Sequence, residues 1–551
     1  MSLTKNAAKN IFDRLTWHTA KKDQAGIAGE LAEGKEVHEV YGLGEASLFD
    51  EFFNFLDELR FDEAFSKLKP MRKKRESPIS FYKILLIYFM RIVAGLQFFN
   101  HIETVLLHSQ PLMRLIGFNG RVIKKGNNQR GVHRIKNYDK EQRTNIRGPV
   151  CAEFVASRIT AITSSALEKV FNKTISILAA NSFFPRKIHA LLDASDVEST
   201  EACNGRGKVR KEKAPELRRR QGRVKKIFVT IFGFKIWVVW DPHSKLPLAM
   251  RFATINVHDI NLAREVIEQA ITNLGKYAKI TSIAIDRGFM DGKLLHWLDS
   301  QDIIFYIPAK RNQDVYQDAL SLVKTGQYEI RTKTKFTGYG KNRQEFIDTW
   351  EVAGIEGLTT AGFYSELGSG SHQNRKDFKP DPINAVVVLR DPYTDNNPNC
   401  QTLIILTNGP VNEPLRVYDG YDTRSEIENS LFRESKQAWF IKRPPQQTRA
   451  GFMVHAYLTI LIMALTTAYR DWMIKQDKLE QKGKETGARK FRQKIREENS
   501  NKLIIFNQDR YAIFFAYEVL ILCGTKVLKP TGVPEKITKE DVLLKYGAQL
   551  E

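Results

Sequence analysis

Between Lys187 and Ile307 the order of apolar runs leaves few folds open. KIHALLD, FVTIFGF, KIWVVWD and Leu246 to Thr254 read as strands, with the second and third close enough in sequence to pair around Gly233. A helical stretch from Asp259 to about Leu274 follows, then the strand SIAID, a helix from Gly292 to Leu298 and a strand from Ile303 to Ile307. Strands that first neighbour one another and then alternate with helices predict an α/β fold. Its mixed sheet begins antiparallel and grows by helical crossover.

Two of these strands end in a carboxylate: Asp193 closes KIHALLD and Asp286 closes SIAID. Charged residues at the ends of apolar strands need a reason, and ends of neighbouring strands open at a sheet edge. Far downstream, YDTRSEIENSLFRESK from Tyr421 to Lys436 carries a helical apolar rhythm in Ile427, Leu431 and Phe432. Arg424 and Glu428, four apart, fall about 40° from each other on one helix face. Asp193, Asp286 and Glu428 make a hard oxygen set of the kind that suits magnesium, and a pair of such ions serves phosphodiester chemistry without histidine or cysteine. The competing readings are structural: turn or cap roles for the aspartates, Asp196 in place of Asp193, Asp291 as a helix cap, and a solvated Arg424–Glu428 salt bridge. Glu426 and Glu434 point elsewhere on the helix.

The rest of the chain frames this centre. At 551 residues it is long enough for two to four domains, and 42% hydrophobic with 11% aromatic residues excludes wholesale disorder. The 85 Lys and Arg against 63 Asp and Glu, a net charge of +22, predict attraction to polyanions, with nucleic acid the leading partner. Apolar runs at Ile84 to Ile92 and Tyr457 to Leu465 are too short for a bilayer, and the N-terminus carries no signal-peptide pattern. No membrane partner and a cytoplasmic location are expected. Cys151, Cys203, Cys400 and Cys523 have no paired spacing, so neither a zinc knuckle nor a disulfide framework is indicated.

Helical patterns with basic connectors fill the first part after a partly ordered leader, and predict a helical DNA-binding region over 1–180. From Asn204 to Lys226 eleven Lys or Arg face two Glu, predicting a phosphate-gripping arm that includes Arg218, Arg219 and Arg220. The catalytic core is expected over 181–308 and 417–470, with a β-rich, turn-rich insertion over 309–416. AGFMVHAYLTILIMALTTAYRDWM is expected to be a long apolar helix packed on the sheet, and 471–551 a helical C-terminal region.

Tyr421, two residues, Arg424, three residues, Glu428 resembles the signature of the DDE transposases of bacterial insertion sequences. More narrowly, it resembles the family with Tyr, Arg, Glu and Lys on its glutamate helix. IENSLFRESKQ, IDRGFMDGKLLHWLDSQDIIFYIPAKR and LPLAMRFATINVHDINLA look like that family's segments, and the resemblance spans roughly residues 187 to 470. It implies a ribonuclease-H-like core with a β insertion before the glutamate helix. It also implies two Mg2+ ions, with Mn2+ able to substitute, on Asp193, Asp286 and Glu428. Tyr421, Arg424 and Lys436 are then phosphate grips, and a homodimer bridges two double-stranded DNA ends. The implied activity is cleavage at the element's ends and strand transfer into target DNA; a bare nuclease or an inactive DNA-binding descendant are the alternatives. One spacing departs: seven residues separate Glu428 from Lys436 where the family has six. In a regular helix that turns Lys436 about 80° away, so it reaches phosphate through its long side chain or through a bulge in the helix.

Overall fold

The computed structural model describes residues 20–35, 37, 39–43, 46, 49–65, 68, 79–107, 109–118, 150–213, 227–323, 327–337, 344–368, 376–390, 401–475 and 502–523. Two compact units divide the chain: 1–174 with 435–551, and 175–434. In chain order the strands among the described residues are β1 Lys21–Lys22, β2 Glu39–Gly42, β3 Lys187–Ser199, β4 Gly207–Lys213, β5 Ile227–Asp241, β6 Leu246–Thr254 and β7 Lys279–Ile285. They continue with β8 Ile304–Pro308, β9 Gln327–Thr337, β10 Gln344–Leu358, β11 Ile383–Arg390, β12 Gln401–Thr407, β13 Lys502–Asn507 and β14 Arg510–Phe515.

The central unit is built on one ten-stranded sheet of order β4-β5-β3-β7-β8-β12-β11-β10-β9, with β6 paired to β5. β3 pairs antiparallel with β5 and parallel with β7, and β7 pairs parallel with β8, which gives the expected mixed sheet. The helices Ala263–Leu274 and Gly292–Ser300 precede β7 and β8 as the two crossovers, and Asp291 caps the second by accepting from the Leu294 amide.

One expectation changes here. FVTIFGF and KIWVVWD do not form a hairpin but one fifteen-residue strand, β5. No turn-forming pair separates them, and Gly233 instead sits at φ +153 where β3 crosses closely. A Cβ there would lie 2.4 Å from the Val197 carbonyl oxygen. The strands of 309–416 extend the same sheet, because β12 pairs with β8 and carries β11, β10 and β9 onto it. A core of Trp350, Val352, Val386, Val388 and Ile405 then packs under Val417 and Tyr418 of the helix Pro414–Asp422. Finally, the first part of the basic arm is the edge strand β4, while Arg218, Arg219 and Arg220 lie outside the described residues.

In the other unit the helix Arg449–Lys475 packs on helices of that unit, Asp50–Glu58, Phe81–Val93 and Ala152–Ile159, rather than on a sheet as expected. Phe52 and Phe55 stack edge-on or tilted against Tyr469, and Phe55 against Trp472, at centroid distances of 5.5 to 5.8 Å. Over Arg449–Ile474 it is long and apolar enough to cross a membrane, longer than the runs expected from sequence, yet 83% of its most apolar window is buried inside the protein.

The C-terminal region also departs from the all-helical expectation. KLIIFN and RYAIFF pair as β13 and β14 across Gln508, whose φ of +56 makes the tight turn. β1 joins β14 and β2 joins β13, giving the order β1-β14-β13-β2, so residues taken as a leader complete a four-stranded sheet. Ile27, Leu31, Val40, Leu503, Ile505 and Phe514 form its core.

Candidate active site where the pairing of β3 and β7 ends

Adjacent strands bring the two aspartates together, although only Asp286 closes its strand: β3 runs six residues past Asp193 to Ser199, held there by its pairing with β5. In the parallel pairing of β3 with β7, Leu192 lies opposite Ile285, so Asp193 and Asp286 follow side by side where that pairing ends. Asp286 leaves its strand as the cap of the short helix Arg287–Phe289, its Oδ2 accepting from the Gly288 amide at 3.3 Å. Asp193 is buried, and its Oδ1 accepts from the Ala194 amide at 2.7 Å. Burial pushes its carboxyl up to about 7; the Ala194 amide and the Arg424 guanidinium pull against that, while Glu428 and Asp286 add to it. Asp196, three residues on and so on the opposite strand face, pairs with Lys211 and takes no part.

The glutamate segment is not one regular helix. The helix Pro414–Asp422 carries Tyr421, a turn holds Thr423 and Arg424, a π-helical stretch Ile427–Phe432 carries Glu428, and the helix Arg433–Gln437 carries Lys436. Arg424 Nη1 donates to Glu428 Oε1 at 2.8 Å and stands 3.4 Å from Asp193 Oδ2. The i to i+4 salt bridge anticipated as the bland alternative therefore exists, and it reaches a third residue on another strand. The Tyr421 phenol lies beside the same guanidinium; burial raises its pKa, Arg424 lowers it and Asp286 raises it.

Within the helical path, the Arg433 amide reaches back five residues to the Glu428 carbonyl. One such wide turn takes up one residue more than an α-turn and removes about 100° of helical phase. Eight residues on from Glu428 is then equivalent to seven in a regular helix. By helix geometry alone, the eighth residue after one such turn falls about 20° from the first.

Sequence reasoning missed His189, which ties the glutamate segment to the sheet. Its Nε2 is 2.8 Å from the Gly420 carbonyl and so donates to it, and its Nδ1 is 2.7 Å from Ser282 Oγ and so accepts from it. Burial lowers the His189 pKa, in keeping with a neutral ring. Its signal was available: His189 is four residues before Asp193 and on the same strand face. Lys245, in the β5–β6 turn, adds a second tether through a 2.7 Å ion pair with Glu426.

Oxygen donors of the hard type that divalent magnesium takes are thus gathered at one sheet end. Among the described residues no three His, Cys, Asp or Glu side chains stand close enough together to hold an ion, and the Arg424 guanidinium bridges Asp193 and Glu428 instead. The donor chemistry fits a metal; the side chains as placed are closed around an arginine. With Glu428 half exposed at 53%, its carboxylate has room to turn.

The chain matches no curated protein. Among solved structures it is similar to the piggyBac transposase synaptic complex with hairpin DNA, a cryo-EM structure, at 9% identity and a TM-score of 0.39, over 82% of this chain and 80% of that one. Residues 185–466 match the family described as the transposase DDE domain, a span that begins just before β3 and contains Asp193, Asp286 and the glutamate segment. With that span covering more than half of its length, the chain belongs to the DDE transposase family.

Proposed function

We propose that this protein cuts DNA at the ends of a bacterial insertion sequence and joins the freed 3′ hydroxyl to target DNA, in the cut-and-paste manner. The carrying observation is the meeting of Asp193, Asp286 and Arg424–Glu428 at one sheet end from three distant parts of the chain. The strand order β6-β5-β3-β7-β8, antiparallel on one side of β3 and parallel on the other, supports a ribonuclease-H-like core within the larger sheet.

Asp193, Asp286 and Glu428 would hold two Mg2+ ions, or Mn2+ in their place, which supply charge neutralisation and an activated water when bound. Arg424 is the residue with two tasks. Its planar fork suits carboxylate and phosphate equally, so neutralising Asp193 and Glu428 by other means releases it to a phosphate oxygen. Lys436, returned to the glutamate's helix face by the wide turn, adds a point charge for the same backbone, and the Tyr421 phenol stands beside the arginine to orient it. Arg218, Arg219 and Arg220 extend the grip along the DNA, and a homodimer pairs two element ends in the cytoplasm. The functional layout that follows is a DNA-binding region in 1–180, a core in 181–308 and 417–470 extended by 309–416, and a C-terminal region from 471.

The test is cleavage and strand transfer on DNA carrying the element's own ends, with magnesium or EDTA, comparing the parent with Glu428→Gln. Metal-dependent joining that the variant loses is the expected result. Cutting without joining would point to a nuclease, and tight binding with neither to an inactive DNA-binding descendant.

A further inference from the structure

About six residues beyond Asp193, where β5 changes partner from β4 to β6, the sheet carries a second feature that the catalytic reading does not use. On one face of the β4–β5 ribbon basic and aromatic side chains interleave. Lys208 lies opposite Phe232 and Arg210 opposite Thr230. The Arg206 guanidinium lies 4.9 Å over the Phe232 ring and that of Arg210 4.8 Å over Phe228. Phe228 is 47% exposed, so this Arg210–Phe228 stack is open to solvent.

At the base of this ladder is a pocket of about 530 Å³ lined by Arg206, Gly207, Lys208, Phe232 and Asn256. Gly207 is required for its shape, since a Cβ there would meet Asn256 Oδ1 at 2.3 Å and Thr254 Cβ at 2.9 Å. The volume is in the range of single-ligand pockets. Its wall offers what an unpaired nucleotide needs: the Arg206 guanidinium stacked on the Phe232 ring as a platform, cations for the phosphate, and an amide that both donates and accepts for a base edge. Duplex phosphates would need the cations alone.

We propose that this pocket takes one unpaired nucleotide of a DNA strand that runs along the β4–β5 ribbon. This rests on the reading of the chain as a transposase acting on DNA. In β3, Ser199 faces Phe232 while Asp193 faces Val238, so the pocket lies six residues, about 20 Å, from the carboxylates. That is roughly six base-pair steps from the bond to be cut, far enough to hold a strand that has been separated without occupying the reaction centre.

The experiment uses the full chain in EDTA and measures binding of fluorescein-labelled oligo(dT) and of a labelled duplex of equal length by anisotropy. Asn256→Ala and Phe232→Leu are expected to weaken oligo(dT) binding on the order of tenfold while leaving duplex binding unchanged. Asn256 is exposed, so its variant carries the test if Phe232→Leu does not fold. Equal losses on both DNA forms would mean a phosphate-only surface and overturn the nucleotide pocket, as would no loss on either, or a parent that ignores oligo(dT). A parent that binds neither DNA removes the transposase reading as well. A parent that joins DNA in magnesium, with pocket variants that bind oligo(dT) as it does, removes only the pocket.

Discussion

Arg424 neutralises two carboxylates with one guanidinium, and that geometry says what its loss would do. Asp193, already pushed up to about 7 by burial, can take a proton when the guanidinium goes, so the fold survives better than loss of a buried partner usually allows. The phosphate grip has no such substitute. Arg424→Ala is expected to weaken binding of the element's ends measurably in a gel-shift titration and to slow strand transfer; unchanged values for both would remove it from the site. His455 makes a separate prediction about stability. It is fully buried, with Nε2 donating to the Phe440 carbonyl at 3.0 Å and Nδ1 accepting from the Tyr88 hydroxyl at 2.8 Å. Burial, with the nearby Arg91 charge, lowers its pKa to about 3. Between about pH 6.5 and 3 the unfolded chain therefore binds a proton there that the folded chain does not, so stability rises with pH through that window and is lost on acidification. Thermal unfolding followed from pH 7 to 4 should show that slope, and His455→Gln should flatten it.

At the scale of elements, the wide turn Ile427–Phe432 and the long strand β5 carry the sharpest expectations. If the π-turn aims Lys436 at DNA, Lys436→Ala lowers affinity alike for all sequences and reduces the slope of log affinity against log salt by about 0.9. An unchanged slope would leave Lys436 with a structural role only. Gly233→Ala puts a Cβ 2.4 Å from the Val197 oxygen at a φ of +153. It should cost more than about 1 kcal/mol, seen as a lower unfolding midpoint for the sheet unit. These features also mark where the sequence stops being legible. The first half of β3, strands β6 to β8, and the helices between β6 and β8 were readable because apolar runs bounded by charged or turn residues have one local solution; the polar second half of β3 is a strand only through its pairing with β5. β5 was misjudged because a lone glycine marks a turn and a close crossing equally well, and only the partner strand separates the two.

For the whole molecule, a net charge of +22 predicts steep salt dependence of DNA binding, and the two-unit division predicts where the ends of the chain matter. β1 and β2 supply both edges of the sheet that holds β13 and β14, and Arg510 pairs with Asp23 and Glu30 at 2.6 and 2.7 Å. Deleting residues 1–43 should therefore uncover Leu503, Ile505 and Phe514 and give an aggregating protein, checked by size-exclusion chromatography; a monodisperse product would contradict the pairing. The edges of that sheet could not be foreseen because β1 and β2, two and four residues long, lie more than four hundred and fifty residues from the strands they join, whereas the β13–β14 hairpin is local and was missed. What the sequence determined by itself was local: the mixed α/β order, the aspartate closing β7, and the Tyr421, Arg424 and Glu428 spacing, each set by periodicity within a few residues. What the tertiary structure decided was non-local. β12 joined β8 and merged the 309–416 strands into one sheet, and a guanidinium came to bridge Asp193 and Glu428. The segment of Glu428 took a π-turn, because backbone pairing and helical phase are fixed only once the partners are in place.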